Sequence, residues 1–284
     1  MGFMIAFWFL LVCASGFAQQ TLRLWKGKDI SAKEKWTKLT VFRARQDTSG
    51  IAVIICPGGS YIYLDRINEG ASVARKLNSC GITAFVLRYR TAWQRNRHPA
   101  MIKDLQKSIC YVREHAEKYG IDAEKVGVMG FSAGGHLAGT SAVYADSSFI
   151  EDCGSGSLRP YFAAMIYPVV SMEDEICHKK SRKNLLGEEY PVELQSMMSL
   201  EKNVPIGMPP VFLLHCTGDK TVDYKNSLVF DAALTEKGVA HRFMLIEEHR
   251  HGGHGFGVQP IGKVKGWINH FVEWLLDLRI PPTA

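Results

Sequence analysis

The residues best placed to do chemistry lie in Gly130-Phe131-Ser132-Ala133-Gly134, which follows the apolar run 126–129 and opens a helical pattern. A serine presented from a very tight strand-to-helix turn takes a strained backbone conformation, and small residues two before and two after it let the chain segments pass. Gly130 and Gly134 meet that need. A serine hydroxyl is a weak nucleophile, so the motif requires a base, a group that orients the base, and donors for a developing oxyanion. The base candidate is His254 in Gly252-Gly253-His254-Gly255-Phe256-Gly257, whose glycines free the loop to carry an imidazole over a sheet edge. The orienting acid is Asp219, directly after the apolar run 211–216. Asp223 is its rival, although an Asp at that place also reads as the cap of a helix beginning near Lys225. Donors are expected from Cys56-Pro57-Gly58-Gly59-Ser60-Tyr61, where the N–H of Gly59 or Ser60 would join that of Ala133. Pro-Gly-Gly is also an ordinary turn sequence.

Glu247, Glu248, His249, His251 and His254 are crowded together and raise a metal site as the competing reading. Metal ligands must converge, and no second cluster of Asp or His at helical spacing is present to help. The absence of a Cys-x-x-Cys pair excludes a zinc ribbon. The expectation is therefore no metal and no cofactor, with His249 and His251 as surface residues.

These loops must be held by a sheet. Short apolar runs at 39–42, 51–56, 82–87, 126–129, 163–167, 211–216 and 242–246 read as strands, several of them apolar on both faces, which marks a sheet covered by helices on both sides. Helical patterns at 68–79, 100–119, 133–144, 226–237 and 263–278 alternate with them. That alternation predicts an α/β protein with a doubly wound, mostly parallel sheet and right-handed crossovers. Residues 171–210 break the rhythm with many charges and no clear strand, either as a small lid above the site or as a surface excursion. Their basic cluster, Lys179, Lys180, Arg182 and Lys183, reads as a solvated face.

The chain has 284 residues, 46% hydrophobic and 22% charged, which excludes disordered, collagen-like and coiled-coil classes. The 34 Lys and Arg against 28 Asp and Glu are scattered, so no nucleic-acid partner is expected. Residues 3–12 are almost unbroken apolar residues, too few to span a bilayer, and end in Ala14-Ser15-Gly16-Phe17-Ala18-Gln19. A secretory signal cut after Ala18 fits them, although no Lys or Arg precedes the run. The expectation is a signal peptide over 1–18, one domain over 19–284, and an exported protein. Leu10-Leu11-Val12-Cys13 loosely resembles a lipoprotein box, so membrane attachment would follow only from lipidation at Cys13. Export permits disulfides. Cys56, Cys110 and Cys216 lie in apolar patterns and read as core, leaving Cys153 and Cys177, in polar loops, as the pair to consider for a bridge.

The chain resembles the α/β-hydrolase superfamily, and within it the secreted esterases of the acetylxylan esterase and feruloyl esterase type, related to the prolyl oligopeptidase catalytic domain. The resemblance runs from about residue 35 to the C-terminus. It is carried by Pro57-Gly58-Gly59-Ser60-Tyr61, Glu69-Gly70, Leu87-Arg88-Tyr89-Arg90, the turn around Ser132, Asp219 with Val222, and Gly253-His254-Gly255-Phe256-Gly257. The order Ser132, Asp219, His254 is that of α/β-hydrolases. Two positions depart from the pattern: Ser60 where a third Gly is common, and Asp223 where Pro commonly follows. The resemblance implies removal of acetyl or small aromatic acyl groups from plant polysaccharides or their oligosaccharides, with an acetylated oligosaccharide as the binding partner. Trp93, at a strand's C-terminal end, and Tyr61, with Tyr63, would offer a stacking surface for a sugar. A prolyl oligopeptidase-type peptidase would share the triad but commonly carries a further domain. A non-catalytic hydrolase-fold binding protein usually loses a triad member, and none is lost here. The sequence leaves the oligomeric state open.

Overall fold

Alternate residues of the central strands face opposite ways, and in this chain both sets are apolar. Ala52, Ile54 and Cys56 point into one buried layer, Val53 and Ile55 into the other. Such strands are stable only between two helical layers. The computed structural model describes residues 20–25, 31–32, 34–46, 49–151, 153, 156–248 and 253–278. The signal segment 1–18, Cys13, His249 and His251 lie outside the described residues.

In chain order the elements are β1 (Gln20–Arg23), β2 (Lys38–Phe42), β3 (Ala52–Cys56), α1 (Ser72–Ser79), β4 (Thr83–Arg88), α2 (Ala100–Glu114), α3 (Ala116–Tyr119), β5 (Val126–Phe131), α4 (Ala133–Val143), β6 (Ala163–Ile166), α5 (Lys179–Leu186), α6 (Val192–Met198), β7 (Val211–Cys216), α7 (Lys225–Glu236), β8 (His241–Ile246) and α8 (Trp267–Asp277). The sheet order is β1-β2-β4-β3-β5-β6-β7-β8. Strands β3 to β8 pair in parallel, while β1 with β2 and β2 with β4 pair antiparallel. Residues from α2, α4 and α7 fill one face of the sheet and residues from α1 and α8 the other. The loops after β3, β5 and β7 therefore leave one edge of the sheet together, where open α/β sheets hold their sites.

The structure departs from the sequence reading in several local respects. The short edge strand β1 lies outside every expected run, because Gln20-Thr21-Leu22-Arg23 carries too little apolar signal and gains strand form by pairing with β2. The helix expected over 100–119 breaks at His115, whose ring stacks on Tyr111 with centroids 4.1 Å apart. The helix expected at 68–79 begins with one wide turn, Ile67–Ala71, before α1. Residues 171–210 form α5 and α6 and are bonded to the body along their length. Asn226 accepts from the N–H groups of Val170 and Ser171 and donates to Ile176, and Tyr144 donates to Met197. Of the basic cluster on α5, Arg182 pairs with Asp174 and Lys183 with Glu188.

The cysteine expectation is corrected. The disulfide joins Cys110 to Cys153, with Cα atoms 5.6 Å apart, and Cys177 is free. Cys110 does lie in an apolar helical pattern, but its face of α2 meets the loop that carries Cys153. Cys177 belongs to the 171–210 segment and is held locally, its N–H donating to Glu173. The bridge closes a loop of 43 residues, for which the chain-entropy argument gives about 4 kcal/mol. Urea unfolding of Cys110→Ser, Cys153→Ser or the reduced protein should show a loss approaching that value. Cys177→Ser should leave the midpoint unchanged, and a larger effect of Cys177→Ser would contradict the assignment.

Candidate active site

Strand β5 ends at Phe131 and α4 starts at Ala133, so Ser132 alone makes the turn, with φ +54° and ψ −121°. A side chain in this region is strained and persists where its surroundings over-determine it. Here the surroundings are backbone. A Cβ on Gly130 would run into the carbonyl of Gly134, and one on Gly134 would run into the carbonyl of Cys56 at the end of β3. The hydroxyl of Ser132 projects from the sheet edge, with the residue only 4% exposed.

His254 stands opposite. Its Nδ1 is 2.7 Å from Oδ2 of Asp219 and its Nε2 is 2.9 Å from Oγ of Ser132. A carboxylate only accepts, so Nδ1 carries the proton and Nε2 is left to accept from the serine. Asp219 is itself held from several sides. Its Oδ1 accepts from the N–H groups of Thr221 (2.8 Å) and Val222 (3.0 Å), and its Oδ2 from Nε2 of His215 (3.1 Å). Burial works against the charged carboxyl, but the bonds from His215, His254 and Val222 outweigh it and hold the group at about 2. Asp223 stands apart from this relay: it is exposed and accepts from the N–H of Lys225 at 2.9 Å, in a local turn just ahead of α7. Among the described residues no three His, Cys, Asp or Glu side chains converge as metal ligands do.

The third part is the loop after β3. Gly59, Ser60 and Tyr61 have φ of +135°, +53° and +59°. This winding turns the carbonyls outward, and each one from Pro57 to Ile62 is taken: by the Tyr89 hydroxyl (2.6 Å), the Asp65 N–H, the N–H groups of Ile62 and Tyr63, Nδ2 of Asn184 (2.8 Å), the Ala92 N–H and the Thr91 hydroxyl. The N–H of Gly58 donates to Oε2 of Glu69 at 2.7 Å. The N–H groups of Gly59 and Ser60 have no protein acceptor among the described residues. Gly58 packs so closely on the turn that an added Cβ would lie 2.9 Å from Cβ of Ser132. With the N–H of Ala133 at the start of α4, these groups can face negative charge that develops beside the serine.

Tyr61 is corrected as a sugar-stacking surface. Its positive φ turns the ring inward, leaving it 1% exposed, and its hydroxyl donates to Nδ1 of His136 at 2.8 Å while Nε2 of His136 donates to Met198. Trp93 and Tyr63 are 77% and 60% exposed. Trp93 sits on a short turn whose preceding residue, Ala92, donates its N–H to the carbonyl of Tyr61.

Several residues of the site had no role in the sequence reading. His215 supports Asp219 from the end of strand β7, and Ser227 on α7 in turn donates to its Nδ1 at 2.7 Å. Asn184 on α5 reaches the loop of Gly59 and Ser60. The 171–210 segment also carries His178, whose Nδ1 is 2.8 Å from Oγ of Ser181 and whose imidazole burial holds below its ordinary range. Tyr167, after β6, lies with its ring centroid 4.7 Å from that of His254 and donates to Oε1 of Glu69 at 2.9 Å. An acidic or aromatic residue between glycine-rich loops carries no spacing that announces such contacts. Of the residues that carry the resemblance, the pair Glu69-Gly70 lies at these contacts.

Residues 40–234 match the BD-FAE family. An acetylxylan esterase of Xylanibacter ruminicola is 32% identical over 237 residues, covering 82% of this chain and 45% of that protein. Endo-1,4-beta-xylanase B of Butyrivibrio fibrisolvens is 31% identical over 235 residues, covering 81% of this chain and 36% of that protein. The chain thus spans less than half the length of these two relatives. The acetyl ester-xyloside bifunctional hydrolase of Caldicellulosiruptor lactoaceticus superposes with a TM-score of 0.81 at 33% identity, over 91% of this chain and 96% of that one. With that fold, that serine turn and that extent of matching sequence, the chain belongs to the BD-FAE family of α/β-hydrolases.

Proposed function

We propose that the protein is a serine carboxylic-ester hydrolase that removes acetyl groups from xylan-type oligosaccharides. The observation that carries the reading is the unbroken relay from Asp219 through His254 to Ser132, at 2.7 and 2.9 Å, facing the N–H groups of Gly59, Ser60 and Ala133. Oγ of Ser132 attacks the ester carbonyl carbon while its proton passes to Nε2 of His254, and Asp219 stabilises the imidazolium. The tetrahedral oxyanion rests on the loop and Ala133 N–H groups. As it collapses, the C–O bond to the sugar breaks and His254 gives its proton to the departing hydroxyl. Water then attacks the acetyl-serine, losing a proton to His254, and acetate leaves as Ser132 regains its hydrogen.

The acetyl and xylan parts of the reading are supported by the names of the similar proteins and by the exposed Trp93 and Tyr63 near the loop. The disulfide is of the kind that persists in an oxidising compartment, which supports export. The 171–210 segment supports a small acyl site. Its apolar residues Leu185, Leu186, Met198 and Leu200 are buried in the core beside the sheet, and its Asn184 reaches the loop.

Ser132→Ala should lower acetyl-ester hydrolysis by about 10⁴ to 10⁶ with the fold intact. Asp219→Asn should lower kcat by about 10⁴ and Asp223→Asn should leave it near wild type, because only Asp219 fixes the tautomer of His254. A reversed pair of results would pass the role to Asp223. In a series of p-nitrophenyl esters, acetate should be turned over best with a steep fall beyond about four carbons, although a pocket able to receive each methylene would gain about 0.8 kcal/mol from it. Rising kcat/KM toward octanoate would make the protein a general carboxylesterase, and better turnover of feruloyl esters would shift the acyl assignment. Trp93→Ala should raise KM for acetylated xylo-oligosaccharides about three- to tenfold, the loss expected of one stacked ring, and leave p-nitrophenyl acetate unaffected. Equal effects on both substrates would remove Trp93 from the sugar side.

A further inference from the structure

Glu69 is a buried carboxyl that the hydrolytic steps leave unused. It is 4% exposed and lies in the wide turn that precedes α1. Both of its oxygens are committed. Oε2 accepts from the N–H of Gly58, a group that can only donate, and Oε1 faces the hydroxyl of Tyr167. That hydroxyl already accepts from the N–H of Gly257 at 3.2 Å, which leaves its proton for Glu69. The pattern of donors suits a carboxylate. One side chain thus joins the loop that offers Gly59 and Ser60, the ring that packs against His254, and the loop that carries His254. The join is tight, since a Cβ on Gly257 would run into the carbonyl of Asn68.

We propose that Glu69 is a positioning residue of the hydrolytic site: as a carboxylate it fixes the oxyanion loop through Gly58 and the shelf of His254 through Tyr167. The proposal rests on the ester-hydrolase reading. The groups facing Glu69 are Gly58, Tyr167, His254 and Asp65. Burial raises its carboxyl above the usual range, while the Tyr167 hydroxyl, the Gly58 N–H and the charge of His254 oppose that rise. His254 is faced in turn by Asp219, Ser132 and the ring of Tyr167, so the Tyr167 hydroxyl that Glu69 holds sets the wall on which the imidazole rests.

The test is the rate at which a fluorophosphonate labels Ser132, run beside hydrolysis of p-nitrophenyl acetate. Glu69→Gln keeps the shape but sets an amide NH₂ against one of the two donors. Labelling and kcat should each fall by about 10², the scale of a lost oxyanion donor, with KM changed less than about threefold. Glu69→Asp keeps the carboxylate and loses the reach, so it should recover part of that loss. Tyr167→Phe should slow labelling about tenfold. A Glu69→Gln variant with wild-type labelling and kcat overturns the proposal, as does a loss that falls on KM instead of kcat. Should Glu69→Gln fail to fold, wild-type rates in both Glu69→Asp and Tyr167→Phe would overturn it equally. A wild-type protein that does not react at all would overturn the ester-hydrolase reading, and this proposal with it.

Discussion

The whole site depends on one close approach of backbone to backbone. The turn at Ser132, between β5 and α4, lies against the chain leaving β3 with no room for a Cβ at Gly58, Gly130 or Gly134. That contact sets the distance between the serine and the N–H groups of Gly59 and Ser60 before any side chain is considered. Preorganisation of this kind matters because donors fixed in place need no reorganisation when charge develops. The loop reaches this state because every carbonyl from Pro57 to Ile62 is bonded away from the serine, by the segment after β4, by α5 and by the loop's own turns.

The rest of the fold supplies what that contact cannot. Strand β7 delivers Asp219, and the bonds from His215, Thr221 and Val222 fix its carboxylate so that the one to His254 has a single direction. The 171–210 segment is a wall bonded at Ile176, Leu185, Met197 and Met198, and its reach to Ser60 through Asn184 makes it part of the loop's support. The disulfide from α2 to the loop at Cys153 lies on the helical layer behind the site and ties that layer together.

What the sequence disclosed follows from where the physics is local. The strand-turn-helix around Ser132 is legible because its two glycines are demanded by sterics at fixed spacing, and the loop order Ser132, Asp219, His254 follows from the alternation of strands and helices. Central strands apolar on both faces announced the two helical layers. Asp219 and Asp223 remained rivals in the sequence because both lie in one loop, and only the fold shows Asp223 spending its carboxylate on Lys225. Tyr61 was misplaced because two consecutive positive φ values at non-glycine residues reverse the side its ring occupies. Cys110 was misread because a helix position can be apolar by pattern and still meet a loop. Tyr167 and His215 carry no motif of their own and Glu69-Gly70 carries a likeness without a role, because their roles exist only through residues 11 to 98 positions away, or through a shared carboxylate.

The central claim is that Ser132 carries the acyl group during turnover. It is tested most directly by acid-quenching the enzyme during rapid hydrolysis of p-nitrophenyl acetate and locating the acetyl group by peptide mass spectrometry. The account predicts acetyl on the hydroxyl of Ser132, formed in the first turnover and lost as substrate is exhausted. Acetyl on another residue under the same conditions, or steady turnover with no adduct on Ser132 at any quench time, would contradict it.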